Sequence, residues 1–168
     1  PLNAIIGFSE ILAEAKLENK QAEQTNIILK SAKSLLNIIN DILDISKVES
    51  GKFEIIPEKV DLKKSLSHIV ELFAVNAKQK DIRLIYTYEE GLPTYVDIDE
   101  TRIKQVISNI LSNAIKFTKE KESVTFHVKV LEKQDKNVKV RFSVKDKGIG
   151  ISPENQRKIF AMMALILH

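Results

Sequence analysis

Leu2, Ile5, Phe8, Leu12 and Ala15 recur three and four residues apart, while Glu10, Glu14 and Lys16 fall elsewhere. This spacing predicts an amphipathic helix over residues 1–16. A polar stretch from Glu18 to Glu23 separates it from a second, longer helix predicted over Gln24 to Glu49. There Ile28, Ala32, Leu35, Ile39, Ile42 and Ser46 alternate four and three residues apart, the seam spacing of helices packed lengthwise. Such a span is about 39 Å long at ~1.5 Å per residue. Leu36, Ile38, Leu43, Ile45 and Val48 widen the apolar stripe beyond what two helices can bury against each other. The expected completion is a second copy, giving a homodimeric four-helix bundle through residues 1–50.

Ser50-Gly51-Lys52 stops the long helix, and the period then changes. Phe53 to Ile56 reads as a short strand. Asp61 is placed to cap a helix running to about Lys80 that buries Leu62, Leu66, Ile69, Phe73 and Ala77. Ile82 to Tyr88 alternates like a strand, Leu92-Pro93 is a turn, and Val96 to Ile98 is a further strand. A helix follows over Glu100 to Phe117, with Ile103, Val106, Ile107, Ile110, Ala114 and Phe117 expected on its buried side. Strands Val124–Leu131 and Val138–Val144 are joined by a polar turn from Glu132 to Asn137, and Ser152-Pro153-Glu154 opens another helix. Helices alternating with a mostly antiparallel sheet predict a two-layer α/β sandwich over residues 53–168, after the hairpin of residues 1–50.

Composition narrows the function classes. Twenty-six basic residues are interspersed among 23 acidic ones for a net charge of +3, without the basic block that nucleic-acid binding requires. Cysteine is absent, which removes disulfides and thiolate metal sites. No apolar run approaches the roughly 20 residues that span a bilayer. A cytoplasmic fragment without membrane contact is the expectation. The abrupt apolar start at Pro1-Leu2 and the apolar stretch Ala161 to His168 suggest a piece of a longer chain.

Two patterns carry candidate chemistry. Gln105, Asn109, Asn113 and Lys116 lie on one face of the Glu100–Phe117 helix, spaced four, four and three residues apart. A solvated face favours Glu and Lys, since Asn is a mediocre helix former. Two amides a turn apart, followed by an ammonium, suit a polyphosphate carrying Mg²⁺, a hard cation that takes oxygen ligands and keeps waters. The bland reading, an ordinary solvated face, fits the same residues. The second pattern is Val144-Lys145-Asp146-Lys147-Gly148-Ile149-Gly150-Ile151-Ser152. A carboxylate at a strand end can accept from an exocyclic amine such as that of adenine, and glycines let the backbone approach a flat ring. A tight turn explains such a Gly-x-Gly equally well.

The segment "RIKQVISNILSNAIKFT" resembles the asparagine box of bacterial sensor histidine kinases, "VKDKGIGIS" their first glycine box, and "KIF" the start of their phenylalanine box. "PLNAIIGFSEIL" and "LLNIINDILDISKVESGKFE" are similar to the two helices of their dimerisation domain. The resemblance covers residues 1 to about 160 in the family's order. It implies a hairpin followed by an ATP-binding domain of the GHKL type, the fold shared with gyrase-type ATPases and heat-shock chaperones. It implies ATP and Mg²⁺ as ligands, with Asn113 on the metal, Asn109 beside it, Lys116 on a phosphate and Phe117 flanking the nucleotide. Asp146 would accept from the adenine amine, with Gly148 and Gly150 shaping the pocket. Partners would be a second copy and the receiver domain of a response regulator, in a parent anchored in the inner membrane.

The resemblance also has gaps. The family's phosphoacceptor histidine lies five residues before the proline matching Pro1, so no catalytic residue is assigned in this chain. His68, His127 and His168 fall at positions that suit structural roles. After Phe160 the sequence "AMMALILH" departs from the family, where a mobile lid and a second glycine box follow. Autophosphorylation by this piece is therefore not expected, and nucleotide affinity should be poor. Two other readings suit parts of the pattern: a non-catalytic dimerisation module, and a serine kinase or ATPase of the same superfamily lacking the hairpin.

Overall fold

In a computed structural model of the chain, the residues described are 1–15, 17–52, 54–135 and 137–156. They form two compact units, 1–54 and 55–156.

The first unit is a helical hairpin of α1 (Leu2–Glu14) and α2 (Asn19–Glu49). Helix α2 starts five residues earlier than the pattern predicts. The Glu18 backbone N–H donates to the Gln21 side chain at 3.3 Å, so the polar stretch after Glu18 is a capped first turn and not a linker. At the other end, Gly51 has φ +65° and Lys52 N–H returns to the Lys47 carbonyl at 2.9 Å. The most buried side chains of the hairpin are small: Ser9, Thr25 and Ala32. Much of the predicted seam stays open in the single chain, with Phe8 70% and Ile42 57% exposed, and Ile28, Leu35 and Ile39 also exposed.

The second unit contains β1 (Glu58–Asp61), α3 (Leu62–Gln79), β2 (Arg83–Tyr88), β3 (Tyr95–Ile98), α4 (Glu100–Phe117), β4 (Ser123–Gln134) and β5 (Asn137–Lys145). Of the strand predicted over Phe53 to Ile56, residues 54–56 are not a strand, and Phe53 lies outside the described residues. Ile55 and Ile56 are exposed, and pairing begins only at Glu58, which faces Ile98 in the antiparallel β1–β3 ribbon. The main sheet has the order β2-β4-β5. Its β4–β5 pair is antiparallel, whereas β2–β4 is parallel, because the chain crosses through α4 between them. Strands β4 and β5 extend to Gln134 and from Asn137, which shortens the predicted turn between them.

Val124, Phe126 and Val128 on β4 are fully buried beneath Leu66 and Ile69 of α3 and Ile107 and Leu111 of α4. The alternate residues Thr125, His127 and Lys129 point away, as a strand's period of two requires. Rings of Tyr86, Phe126 and Phe142 stack in sequence across the three strands at centroid distances of 5.4 and 6.5 Å. Burial, and then the nearby Tyr88 hydroxyl, push the Tyr86 phenol up to about 12. This is the predicted two-layer sandwich, with both helices over one face of the sheet.

Both helices start at aspartate caps. Asp61 Oδ1 accepts from Lys64 N–H at 3.0 Å, as the pattern predicts. Asp99 was not singled out from sequence and does more. Its Oδ1 accepts from Arg102 N–H at 3.1 Å, and its Oδ2 accepts from Ile56 N–H at 3.1 Å, tying the segment before β1 to the start of α4. The Arg102 and then the Ile56 N–H groups hold its carboxyl below the usual carboxylate range. A carboxyl depressed in the folded state stabilises the fold above its unfolded pKa of about 3.9, and that stabilisation is lost as pH falls through the folded value. The stability gap between wild type and Asp99→Asn, measured by denaturant unfolding, should therefore be largest near pH 6 and narrow below pH 3. A gap that is constant over this range would mean that the Asp99 charge contributes nothing to stability.

Candidate functional site

Helix α4 has a steep division of faces, but its phase differs from the prediction. Ile107, Leu111, Ala114 and Ile115 are buried, with Ile103 half-buried. Val106, Ile110 and Phe117, expected in the core, are 47–54% exposed. They form an apolar strip between the core face and the exposed amides of Asn109 and Asn113. Neither amide is engaged by a hydrogen bond among the described residues, whereas Gln105 accepts from Arg102 at 3.0 Å. The Asn face thus presents unspent oxygens and N–H groups beside an apolar surface, unlike a salt-bridged solvated face.

The structure brings the end of α4 against the loop that follows β5. Thr118, the residue after α4, pairs with Gly148 in an isolated antiparallel bridge. Gly148 N–H donates to Asp146 Oδ1 at 2.8 Å, folding the carboxylate back over its own loop. A Cβ on Gly148 would lie 2.7 Å from Asp146 Oδ1 and 2.9 Å from the Phe117 carbonyl oxygen. Only glycine fits this contact. Gly150 takes φ +74° with open space around it, so its requirement is conformational. Lys147 pairs with Glu122 at 2.8 Å and fastens the loop to the turn before β4.

Phe117, Asp146 and Gly148 are therefore neighbours, and Asn113 sits one helical turn before Phe117. Lys116 Nζ lies 5.2 Å above the Phe117 ring. The grouping is an open ledge: Asn109, Asn113, Lys116, Phe117 and Asp146 are all exposed. Among the described residues, Lys116 also lines an open depression of about 320 Å³ with Phe73, Asn76 and Lys80. Thr118, which no sequence pattern marks as part of the site, has its hydroxyl buried beside Gly148 without a partner among the described residues. Only its place directly after the Asn helix points to it. No group of three His, Cys, Asp or Glu side chains able to hold a metal occurs among the described residues.

Comparison with known proteins adds an independent line. Residues 1–51 match the His Kinase A (phospho-acceptor) domain, and residues 98–165 match the histidine kinase-, DNA gyrase B- and HSP90-like ATPases. The catalytic domain of histidine kinase ThkA superposes with a TM-score of 0.52 at 30% identity, over 64% of this chain and 68% of that one. The chain belongs to the sensor histidine kinases. Full-length ShkA in complex with AMPPNP superposes over 99% of this chain and 37% of its own at TM-score 0.74 and 28% identity. The aerobic respiration control sensor protein ArcB of Escherichia coli is 38% identical over 96% of this chain. This kinase chain spans 20% of ArcB and 8% of the hybrid signal transduction histidine kinase B of Dictyostelium discoideum. ThkA has also been solved in complex with the response regulator protein TrrA. No described helix of this kinase chain is long and apolar enough to cross a membrane.

Proposed function

We propose that residues 53–168 bind ATP with Mg²⁺ on the α4–β5 ledge, and that residues 1–50 pair with a second copy as the dimerisation part of the kinase core. The observation that carries this reading is the Thr118–Gly148 bridge, where the absence of a side chain lets the Asp146 loop lie against the Asn helix. Asp146 has one oxygen engaged by Gly148 N–H, and its other oxygen is assigned to the exocyclic amine of adenine. Phe117 and the apolar strip beside it flank the base. Asn109 and Asn113 face the phosphates, with the Asn113 carbonyl oxygen as the protein's ligand to the metal and Lys116 on a phosphate oxygen. The residues fit a magnesium ion that rests mainly on phosphate oxygens and water, since one amide adds no negative charge and no metal-binding acidic cluster competes among the described residues. When bound, the ion neutralises charge on the terminal phosphates.

The exposed seam of α1 and α2 supports the dimer. In the parent kinase the γ-phosphoryl group would pass to a histidine and then to an aspartate of a response regulator, a partner class suggested by the ThkA–TrrA complex. Neither described histidine of this chain is proposed as acceptor: His127 is held by Thr87 Oγ1 at 2.8 Å within the sheet, and His68 lies on α3. The ledge is read as cytoplasmic, where ATP is available.

Calorimetric titration with Mg·ADP and Mg·GDP tests the reading. The adenine nucleotide should bind more tightly, because guanine offers a carbonyl where Asp146 needs a donor. Asp146→Asn keeps an oxygen for Gly148 N–H but presents an NH₂ to the amine, so the preference should fall by about tenfold or more. Equal affinity for the two nucleotides, or a preference untouched by Asp146→Asn, would overturn the assignment. The non-catalytic interaction module would then be the surviving alternative.

A further inference from the structure

We infer that Lys80 is a positioning residue for the nucleotide ledge, acting through the last turn of α4; this rests on the reading above. Lys80 is the residue at which α3 ends, and its Nζ donates to the carbonyl oxygens of Ile115 at 3.2 Å and Lys116 at 2.9 Å. The last four carbonyls of a helix have no partner within it. The Ala114 carbonyl is taken by Thr118 N–H at 3.0 Å, and the Lys80 ammonium takes the next two. These are charge-assisted bonds, and they place a cation at the negative end of the α4 dipole.

The backbone around Lys80 makes the same connection. Lys121 N–H donates to the Asp81 carbonyl at 2.8 Å and Arg83 N–H to the Glu122 carbonyl at 2.9 Å, so the turn after α3 is stitched to the turn after α4. Asp81 and Lys121 sit at φ +54° and +65°, a left-handed conformation that side chains other than glycine adopt at a cost. The contact is maintained against that strain. What it holds is specific: Lys116 and Phe117 are two of the proposed ligand-facing residues, and the Phe117 carbonyl is the surface against which Gly148 packs. Releasing the Ile115 and Lys116 carbonyls frees the final turn to unwind or rotate. That would move Phe117 away from Gly148 and Lys116 away from the phosphates, while the core beneath Leu111 and Ala114 stays in place.

The test is Mg·ADP affinity by calorimetry on the whole chain, at a temperature where circular dichroism shows every variant folded. Lys80→Met keeps the stem and removes the donors, and should weaken binding about tenfold. Lys80→Arg restores donors to both carbonyls and should recover affinity to within about threefold of wild type, a rescue that a purely packing role would not give. Lys80→Gln, a shorter neutral donor, should fall between them and serves if Lys80→Met does not fold. Lys80→Met or Lys80→Gln binding like wild type, while Asn113→Ala in the same series loses affinity, would overturn the inference and leave the site assignment intact. Failure of Lys80→Arg to rescue would also overturn it. If wild type itself binds no nucleotide, both fall.

Discussion

Asn113→Ala should weaken Mg·ADP binding by about 10- to 100-fold, the range expected when a hydrogen-bonding or ligating group to a charged partner is removed. The fold should not suffer. The Asn113 side chain is exposed and makes no hydrogen bond among the described residues, and alanine is the better helix former. Chelating the metal supplies the internal control. With EDTA present, wild type and Asn113→Ala should converge, since the lost interaction passes through the ion. A tenfold or larger difference persisting in EDTA would mean that Asn113 acts on the nucleotide directly or through the structure. Calorimetry with and without Mg²⁺ reads both arms, and Tm confirms the intact fold.

Gly148→Val is the complementary case, in which structure and site fail together. Its Cβ would meet Asp146 Oδ1 at 2.7 Å and the Phe117 carbonyl at 2.9 Å. The carboxylate can swing away, whereas the carbonyl belongs to a helix end pinned from behind by Lys80 and cannot. The bridge to Thr118 should open at a cost of about 2 kcal/mol, typical of overpacking a well-fitted contact. For a domain of about 100 residues, each kcal/mol lowers Tm by about 4–8 °C, so the shift should exceed 8 °C and be accompanied by loss of nucleotide binding. Gly150→Ala is the contrast, because open space surrounds it and only its φ of +74° resists a side chain. That substitution should cost about 1 kcal/mol. Equal effects at the two glycines would contradict the close approach at Gly148.

Local signals made most of the second unit legible. Asp61 before an apolar 3.6-residue period marked α3, and a strong amphipathic pattern over Glu100–Phe117 gave α4 its bounds. Phase was harder. Eight apolar residues along α4 cover about half its circumference, so Val106, Ile110 and Phe117 competed with Leu111 and Ile115 for the core on equal terms. Only packing against β4 decides between them. Strand β1 escaped because Val60 is its one apolar residue, too little to show a period, while the adjacent Ile55-Ile56 pair is apolar yet exposed. The parallel pairing of β2 with β4 and the reach of Lys80 to Ile115 join positions 35 or more residues apart, and nothing local encodes them. For the candidate site, the face shared by Asn109, Asn113 and Lys116 follows from helical geometry alone. The meeting of Phe117–Thr118 with Asp146–Gly148 is tertiary.

The Asn face of α4 and the Asp146–Gly150 loop are proposed to act as one nucleotide site. Amide NMR of the isotope-labelled chain, titrated with Mg·ADP, reads both segments at once. The largest saturable shifts should appear at Asn109, Asn113, Phe117, Gly148 and Gly150, all following one binding curve. Shifts confined to one of the two segments, separate curves for each, or the largest changes in β1 and α3 would contradict it.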